Sequence, residues 1–254
     1  MYAEEEAALL IQSGLRGAGL ETLICRRIAG EPLETVLGWV AFGGRRLLVR
    51  PGVFVPRRRT ELLARTAAQH ARHDAVLLDL CCGVGPVAAT VTAAEVHLAD
   101  LDPAALECAR TNVPHGHVHL SDLYADLPVG LRGRVDVLAA NAPYVPSAQM
   151  ALLPPEARDH EPFMALHGGT DGVDLHRRIA AVAGEWLAAS GVLLIETSTS
   201  QAPLTVEAMV GAGLSTQVVT DPEIGGCVVV GRPATRVQPT ASAPSSRVRS
   251  GEPG

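Results

Sequence analysis

Lysine is absent from the 254-residue chain, whose 21 basic side chains are all arginine. Mechanisms that need a lysine base or a Schiff base are therefore excluded. The five cysteines form no C-x-x-C pair and are odd in number, which speaks against a zinc knuckle and a disulfide framework and for reduced thiols. No run of about 18 uninterrupted apolar residues occurs, and the start Met1-Tyr2-Ala3-Glu4-Glu5-Glu6 is the reverse of a basic signal-peptide start. The reading is a soluble, cytoplasmic protein without a membrane partner.

What is present is a core-forming composition, 47% hydrophobic, in a chain long enough for one large α/β domain with a small appendage. Charge is uneven: residues 1–72 hold eleven arginines against seven acidic groups, and the remainder holds ten against twenty. A basic N-terminal part suits an acidic or nucleic-acid-bearing partner; it equally describes a solvated arginine-rich surface.

Residues 4–29 carry apolar side chains at helical spacing, interrupted by Gly14, Gly17 and Gly19, and predict two short helices. The runs 39–42 and 47–49 flank Gly43-Gly44-Arg45-Arg46 and predict a β-hairpin, followed by a helix from Thr60 or Glu61 to about Ala71. From Ala75 short apolar runs alternate with helical stretches, the pattern of βαβ units. Strands are expected near 76–80, 95–99, 117–120, 135–140, 191–196, 215–220 and 226–231, the last two as an antiparallel pair. Helices are expected near 86–92, 103–112, 174–189 and 201–212. The fold class is α/β: a Rossmann-like, mainly parallel seven-stranded sheet with helices on both faces. Its divisions are a helical segment 1–30, a linker with hairpin and entry helix 31–73, a cofactor-binding domain 74–232 and a disordered tail 233–254, rich in Pro, Ser, Ala, Thr and Arg.

Chemistry collects at the predicted strand ends, where open α/β sheets bind ligands. Asp79-Leu80-Cys81-Cys82-Gly83-Val84-Gly85-Pro86 is a strand end, a glycine turn and a proline suited to the first helical position. Gly83-x-Gly85-x-x-Ala88 satisfies the dinucleotide fingerprint, so a hydride-transferring enzyme stands as one reading. Asp79 favours another, because an acid there accepts hydrogen bonds from an ammonium group, as S-adenosylmethionine carries. Asp100, with Leu101 beside it, ends the second strand where a carboxylate binds ribose hydroxyls. Ser121-Asp122-Leu123 ends the third, where Asp122 can accept an adenine amino group or simply cap a turn. Asn141-Ala142-Pro143-Tyr144 ends the fourth. Its Asn amide and stiffened carbonyl offer two acceptors for the NH2 of a planar amide or base, with Tyr144 as a flat wall. The same four residues also read as a plain turn. His115, His117 and His119 alternate on one strand face, but no acidic or thiol partner sits at ligand spacing, so no metal site is assigned. Glu161-Pro162 and Gly168-Gly169-Thr170-Asp171-Gly172 read as a lid over a substrate or as a loop.

In their order these segments resemble the class I S-adenosylmethionine-dependent methyltransferases, and within them the HemK/PrmC family of protein-(glutamine-N5) methyltransferases, which act on peptide-chain release factors. The resemblance spans residues 31–232. It includes Glu31-Pro32-Leu33, Leu37-Gly38, Pro51 to Arg57 with Thr60-Glu61-Leu62-Leu63, Asp79 to Gly85, Asp100, Ser121-Asp122-Leu123, Asn141 to Tyr144, Glu161-Pro162, the glycine-rich stretch and Glu196. It implies S-adenosylmethionine as cofactor and a protein substrate, candidate a release factor. It also implies Asn141, Ala142, Pro143 and Tyr144 as catalytic residues, and Asp79, Cys81, Gly83, Gly85, Asp100, Leu101, Asp122, Leu123 and Asn141 as cofactor-binding residues. Three departures stand out. Cys81 replaces a glycine, Ala142 replaces the first proline of Asn-Pro-Pro-Tyr, and only about 30 residues precede the linker where the family has a larger helical recognition domain. A nucleic-acid amino-group methyltransferase and a non-catalytic S-adenosylmethionine-binding protein are the alternative readings; the net acidic catalytic part weighs against the first.

Overall fold

The computed structural model describes residues 3–234. The expected disordered tail lies outside the described residues except for its first two positions, of which Pro233 ends a strand.

Three helices open the described chain: α1 (Ala3–Gln12), α2 (Ala18–Ile28) and α3 (Leu33–Leu37). They bury Leu10, Leu23, Leu33 and Val36 against one another in a cluster separate from the main core. A hairpin follows, β1 (Trp39–Phe42) and β2 (Arg45–Leu48). Its turn is the two residues Gly43-Gly44, both at positive φ (53° and 74°), so the second strand starts at Arg45 instead of the expected residue 47. Two glycines in the left-handed region match the twist of paired strands, which a four-residue loop is not needed to do.

After α4 (Glu61–His70) come β3 (Val76–Leu80), α5 (Pro86–Thr90), β4 (Glu95–Asp100), α6 (Pro103–Asn112), β5 (His117–Leu120) and β6 (Val135–Ala140). A long excursion with the short helix α7 (Pro155–His160) leads to α8 (Asp174–Trp186), β7 (Leu187–Glu196), α9 (Ala202–Gly211), β8 (Leu214–Asp221) and β9 (Gly226–Pro233). The seven strands order as β5-β4-β3-β6-β7-β9-β8, with β9 inserted antiparallel between β7 and β8. The expected sheet and its closing antiparallel pair are both present.

Helix α8 stops at Trp186, and β7 begins at Leu187, four residues earlier than expected. Leu187 pairs with Val135 and Val192 with Val137, so the added residues form an irregular first turn of pairing. Gly191 makes that possible: a Cβ there would stand 2.5 Å from the Val135 carbonyl oxygen.

The inner parallel strands β3, β4, β6 and the second half of β7 are buried on both faces, as their continuous apolar runs require, while the edge strand β5 has no buried residue. One face carries Leu77, Leu98, Val137 and Leu194 against α4, α5, α6 and the hairpin. The other carries Leu78, Leu138, Leu193 and Val229 against α8 and α9. Truncating such a leucine to alanine costs about 2–5 kcal/mol, so the sheet is a rigid platform for whatever its strand ends hold. The strand order reverses between β3 and β6, and the C-terminal ends of these two neighbours are where the functional loops meet.

Candidate active site

The β3 end builds the first wall. Asp79 is 2% exposed, and its Oδ2 accepts the backbone N–H of Ala88 at 3.2 Å, tying the strand to α5. Burial pushes its carboxyl up to about 7, with Asp100 adding to the rise and the Ala88 bond opposing it. Cys81 adopts φ 52°, the left-handed region that glycine occupies at no cost and other residues rarely visit. Its thiol is pushed well up by burial and by the surrounding acids, so it stays protonated and is no nucleophile. Gly83 and Gly85 also sit at positive φ, but for different reasons. A Cβ on Gly83 would meet no atom of the chain within 4 Å and would stand in the open cleft. A Cβ on Gly85 would lie 3.0 Å from Leu98 and 3.3 Å from Val113. Gly85 therefore serves packing of the loop onto β4 and α6, and it does not line the cleft.

The second wall comes from β4 and β5. Asp100 Oδ2 accepts Gly83 N–H at 2.7 Å and Oδ1 accepts Asp102 N–H at 2.9 Å. Burial raises its carboxyl, against the pull of these backbone donors. Leu101 is half-exposed at the rim. Beyond Ser121, whose hydroxyl donates to the Leu123 carbonyl, Asp122 pairs with Arg178 at 2.8 Å through Oδ2 and Leu123 turns back at φ 54°. Asp100, Leu101, Asp102, Ser121, Asp122 and Leu123 all line one cleft with Cys81 and Gly83.

Asn141 stands across this cleft at the end of β6. Its Nδ2 donates to Thr60 Oγ1 at 3.3 Å, which leaves Oδ1 for a ligand. Pro143 lines the cleft beside it. Ala142 is 1% exposed with its side chain in the core, and among the described residues no N–H donates to its carbonyl. Tyr144 does not line this cleft. Its hydroxyl donates to Glu196 Oε1 at 3.3 Å, its ring lies under Arg59 at 5.6 Å, and it borders a neighbouring cleft with Arg59 and Thr197 to Thr199. The glycine-rich stretch is a brace behind the tetrapeptide. Gly168 N–H donates to Val145 O, and a Cβ on Gly168 would stand 2.6 Å from Tyr144 Cα. One on Gly172 would stand 2.4 Å from Tyr144 O, which Gln201 Nε2 also holds at 2.8 Å.

Several side chains here escaped the sequence reading. Phe54, Met164, Ala165 and Leu175 complete the lining. Glu161, read as part of a lid or loop, is instead a buried anchor: its oxygens take Val55 N–H at 3.2 Å and Arg57 at 2.6 Å, which fixes the strip that carries Phe54. Glu196 is buried too and receives Arg59 and Tyr144 on Oε1. For Glu196 the signal was the apolar run Val192 to Ile195 before it, since a buried carboxylate requires partners; Glu161, after Arg158-Asp159-His160, carried no such signal. The histidine expectation is corrected in part. His117 and His119 do neighbour each other, but their partner is His97 of β4, bonded to His119 at 3.0 Å and to Glu95 at 2.8 Å, while His115 precedes the strand. Among the described residues no group of three His, Cys, Asp or Glu side chains is placed to hold a metal ion.

The cleft shares Phe54, Cys81, Gly83 and Asn141 with an adjoining pocket that Asp79 and Thr60 line. Its chemistry fits S-adenosylmethionine. Asp79, the buried acid of the adjoining pocket, gains by meeting an ammonium group, Asp100 retains lone pairs for hydroxyls after its two backbone bonds, and the apolar side chains suit the faces of a base. The open space above Gly83 admits a ligand against the backbone.

A sheet in this order with such loops at β3, β4, β5 and β6 is that of a class I S-adenosylmethionine-dependent methyltransferase. The fold is shared with a solved methyltransferase from Pyrococcus furiosus, 14% identical, at a TM-score of 0.55 over 85% of this chain and 98% of that one. The model of the methyltransferase small domain matches residues 45–153. Over 217 residues the chain is 39% identical to a release factor glutamine methyltransferase from Mycolicibacterium smegmatis, covering 82% of this chain and 76% of that protein. It is 35% identical over 191 residues to one from Geobacter sulfurreducens, covering 73% and 67%. The chain belongs to the release factor glutamine methyltransferase family. Membership does not favour the nucleic-acid or the non-catalytic alternative.

Proposed function

We propose that this chain methylates the side-chain amide nitrogen, N5, of a glutamine in a peptide-chain release factor, the substrate its relatives are named for. The observation that carries the reading is the orientation of Asn141. Its NH2 is committed to Thr60, so its carbonyl oxygen is the group offered to a ligand in the cleft.

Asp79 would hold the ammonium end of the cofactor, Asp100 its ribose, and Asp122 with Leu101 and Leu123 its adenine. Cys81 and Gly83 form the floor. When bound, S-adenosylmethionine supplies an electrophilic methyl group on a positively charged sulfur. The chain's part is to present the amide nitrogen in line with that methyl, and alignment of this kind supplies much of the rate. An amide nitrogen is a poor nucleophile because its lone pair is delocalised into the carbonyl. Asn141 Oδ1 and the Ala142 carbonyl accept its two hydrogens, turn the lone pair toward the methyl and stabilise the positive charge that grows on nitrogen as planarity is lost. The Ala142 side chain takes no part, so replacing proline there keeps the acceptor, and Pro143 still biases residue 142 toward extended backbone. One amide hydrogen leaves as a proton to water.

Incubating the protein with a release factor and labelled cofactor, then mapping the product by mass spectrometry, tests the reading. One methyl group on a glutamine side chain is expected, and Asn141→Ala is expected to abolish it with cofactor affinity within a few fold of wild type. A labelled nucleic acid in place of the protein, or full turnover by Asn141→Ala, rejects it.

A further inference from the structure

Gln201 is a buried residue at the start of α9, and its amide nitrogen donates to two main-chain carbonyls. Nε2 reaches Tyr144 O at 2.8 Å and Asp171 O at 3.0 Å. These carbonyls stand at opposite ends of the excursion that leaves β6 and returns to α8, so one NH2 group closes its base. The amide is held from its other side as well. Oε1 accepts the Ser198 hydroxyl at 2.7 Å, and the Gln201 backbone N–H donates to Ser198 O at 3.1 Å. Gly172 makes room for the arrangement: at φ 82° it passes so close that a Cβ there would stand 2.2 Å from Gln201 Nε2 and 2.4 Å from Tyr144 O. Among the described residues no backbone N–H donates to Tyr144 O, which leaves that carbonyl to Gln201.

We infer that Gln201 is a positioning residue for methyl transfer, which holds the Ala142 carbonyl where it can accept a hydrogen of the substrate amide. Strand pairing fixes the chain as far as Ala140, and the Ala142 side chain is seated in the core. Beyond it the first main-chain anchor is the Tyr144 carbonyl. Residue 142 has no ring of its own to limit φ, so the aim of its carbonyl depends on how the chain is held on either side. The Tyr144 hydroxyl bond to Glu196 holds the ring and leaves the peptide free to tilt. Gln201 removes that tilt by tying Tyr144 O to α9 and to the far end of the excursion. Displacing a group that orients the reacting atoms by about 1 Å costs up to about a hundredfold in rate. Polarity matters as much as reach, because a carboxylate of the same shape would set acceptor against two acceptors. The inference rests on the amide cradle proposed above.

Gln201→Met keeps the length of the side chain and removes its donors. With a release factor as methyl acceptor and both substrates saturating, kcat is expected to fall at least tenfold, with the S-adenosylmethionine dissociation constant within threefold of wild type. Gln201→Glu is expected to be at least as slow at pH 8. Facing two carbonyl oxygens favours the protonated carboxyl, which regains one donor, so its kcat relative to wild type should be at least threefold higher at pH 6 than at pH 8. Wild-type kcat in Gln201→Met overturns the brace. A fall in cofactor affinity as large as the fall in kcat also overturns it, since Gln201 would then support the fold of the whole cleft. A ratio for Gln201→Glu that does not change with pH does the same. Should one of the two variants not fold, the other decides alone. Asn141→Ala separates the two ideas: if it still turns over, the cradle fails and the brace with it; if it is inactive while Gln201→Met runs at full rate, the brace alone fails.

Discussion

The Asp100 carboxylate accepts the backbone N–H of Gly83 at 2.7 Å, so the acid that ends β4 also holds the glycine loop that follows β3. Its second oxygen takes Asp102 N–H at 2.9 Å, and the two strand ends become one unit. Asp100→Asn sets an NH2 against one of these two N–H donors. Losing a buried bond to a charged acceptor costs about 1.5–3 kcal/mol. Denaturant unfolding is expected to show a loss in that range, and titration calorimetry a cofactor affinity at least about tenfold weaker, a factor worth about 1.4 kcal/mol. Unchanged affinity would remove Asp100 from the ribose site.

Gly83 and Gly85 make a matched pair of tests, because both have positive φ but only one lines the cleft. Alanine at either position costs about 1–2 kcal/mol through backbone conformation. At Gly83 the added methyl meets no protein atom within 4 Å and occupies ligand space, so the expected outcome is a folded protein with cofactor binding down more than about tenfold, about 1.4 kcal/mol. At Gly85 it presses on Leu98 and Val113, so thermal stability should fall further and the folded fraction should still bind. The reverse pattern in melting and binding curves contradicts the assigned roles.

Much of this architecture was legible before the structure. Short apolar runs such as Val76 to Leu80, Val96 to Ala99 and Val135 to Ala140, bounded by turn residues, read as buried strands, and their ends locate Asp79, Asp100 and Asn141. Local pattern could not reveal partners distant in sequence. Phe54 enters the cleft because Glu161, over a hundred residues later, holds Val55 and Arg57. Thr60 reads as a helix cap, and only the folded chain brings it to Asn141. Tyr144 was expected beside the substrate on the strength of its neighbours; the hydroxyl bond to Glu196 turns its ring to the adjoining cleft. Gly85 fitted the fingerprint, yet its requirement is for packing.

Cofactor affinity should depend on pH through Asp79. Burial raises its carboxyl to about 7 in the ligand-free protein, so below that value the acid is neutral and offers an ammonium group little. Binding a cation stabilises the ionised form, hence affinity rises with pH, by up to about tenfold per unit well below 7, and flattens above it. The same shift acts on stability with the opposite sign: a carboxyl raised above its unfolded value stabilises the fold at low pH, and that contribution is lost as pH rises toward 7. Dissociation constants between pH 5.5 and 7.5 check the first statement. Asp79→Asn should flatten the profile, and an unaltered slope in that variant would assign the titration to another group.

Glu161 supports the cleft without touching it, and its removal should show how far the linker governs binding. Its carboxylate is buried between Val55 N–H and the Arg57 guanidinium, while Arg57 also lies over the Phe54 ring at 5.0 Å. Glu161→Ala leaves a buried N–H unsatisfied and a cation unpaired. Because Arg57 retains partial access to water, the cost belongs at or below the low end for broken buried pairs, about 3 kcal/mol or less. Phe54 then loses its fixed approach to the cleft, so cofactor affinity should fall in the folded protein as well. Glu161→Gln keeps one acceptor for Val55 and is expected to lose less on both counts. Chemical denaturation and cofactor titration of the two variants measure this directly: stability lost with affinity intact would mean that Phe54 stays in place on the strength of its own packing, and that the Glu161 anchor serves the fold alone.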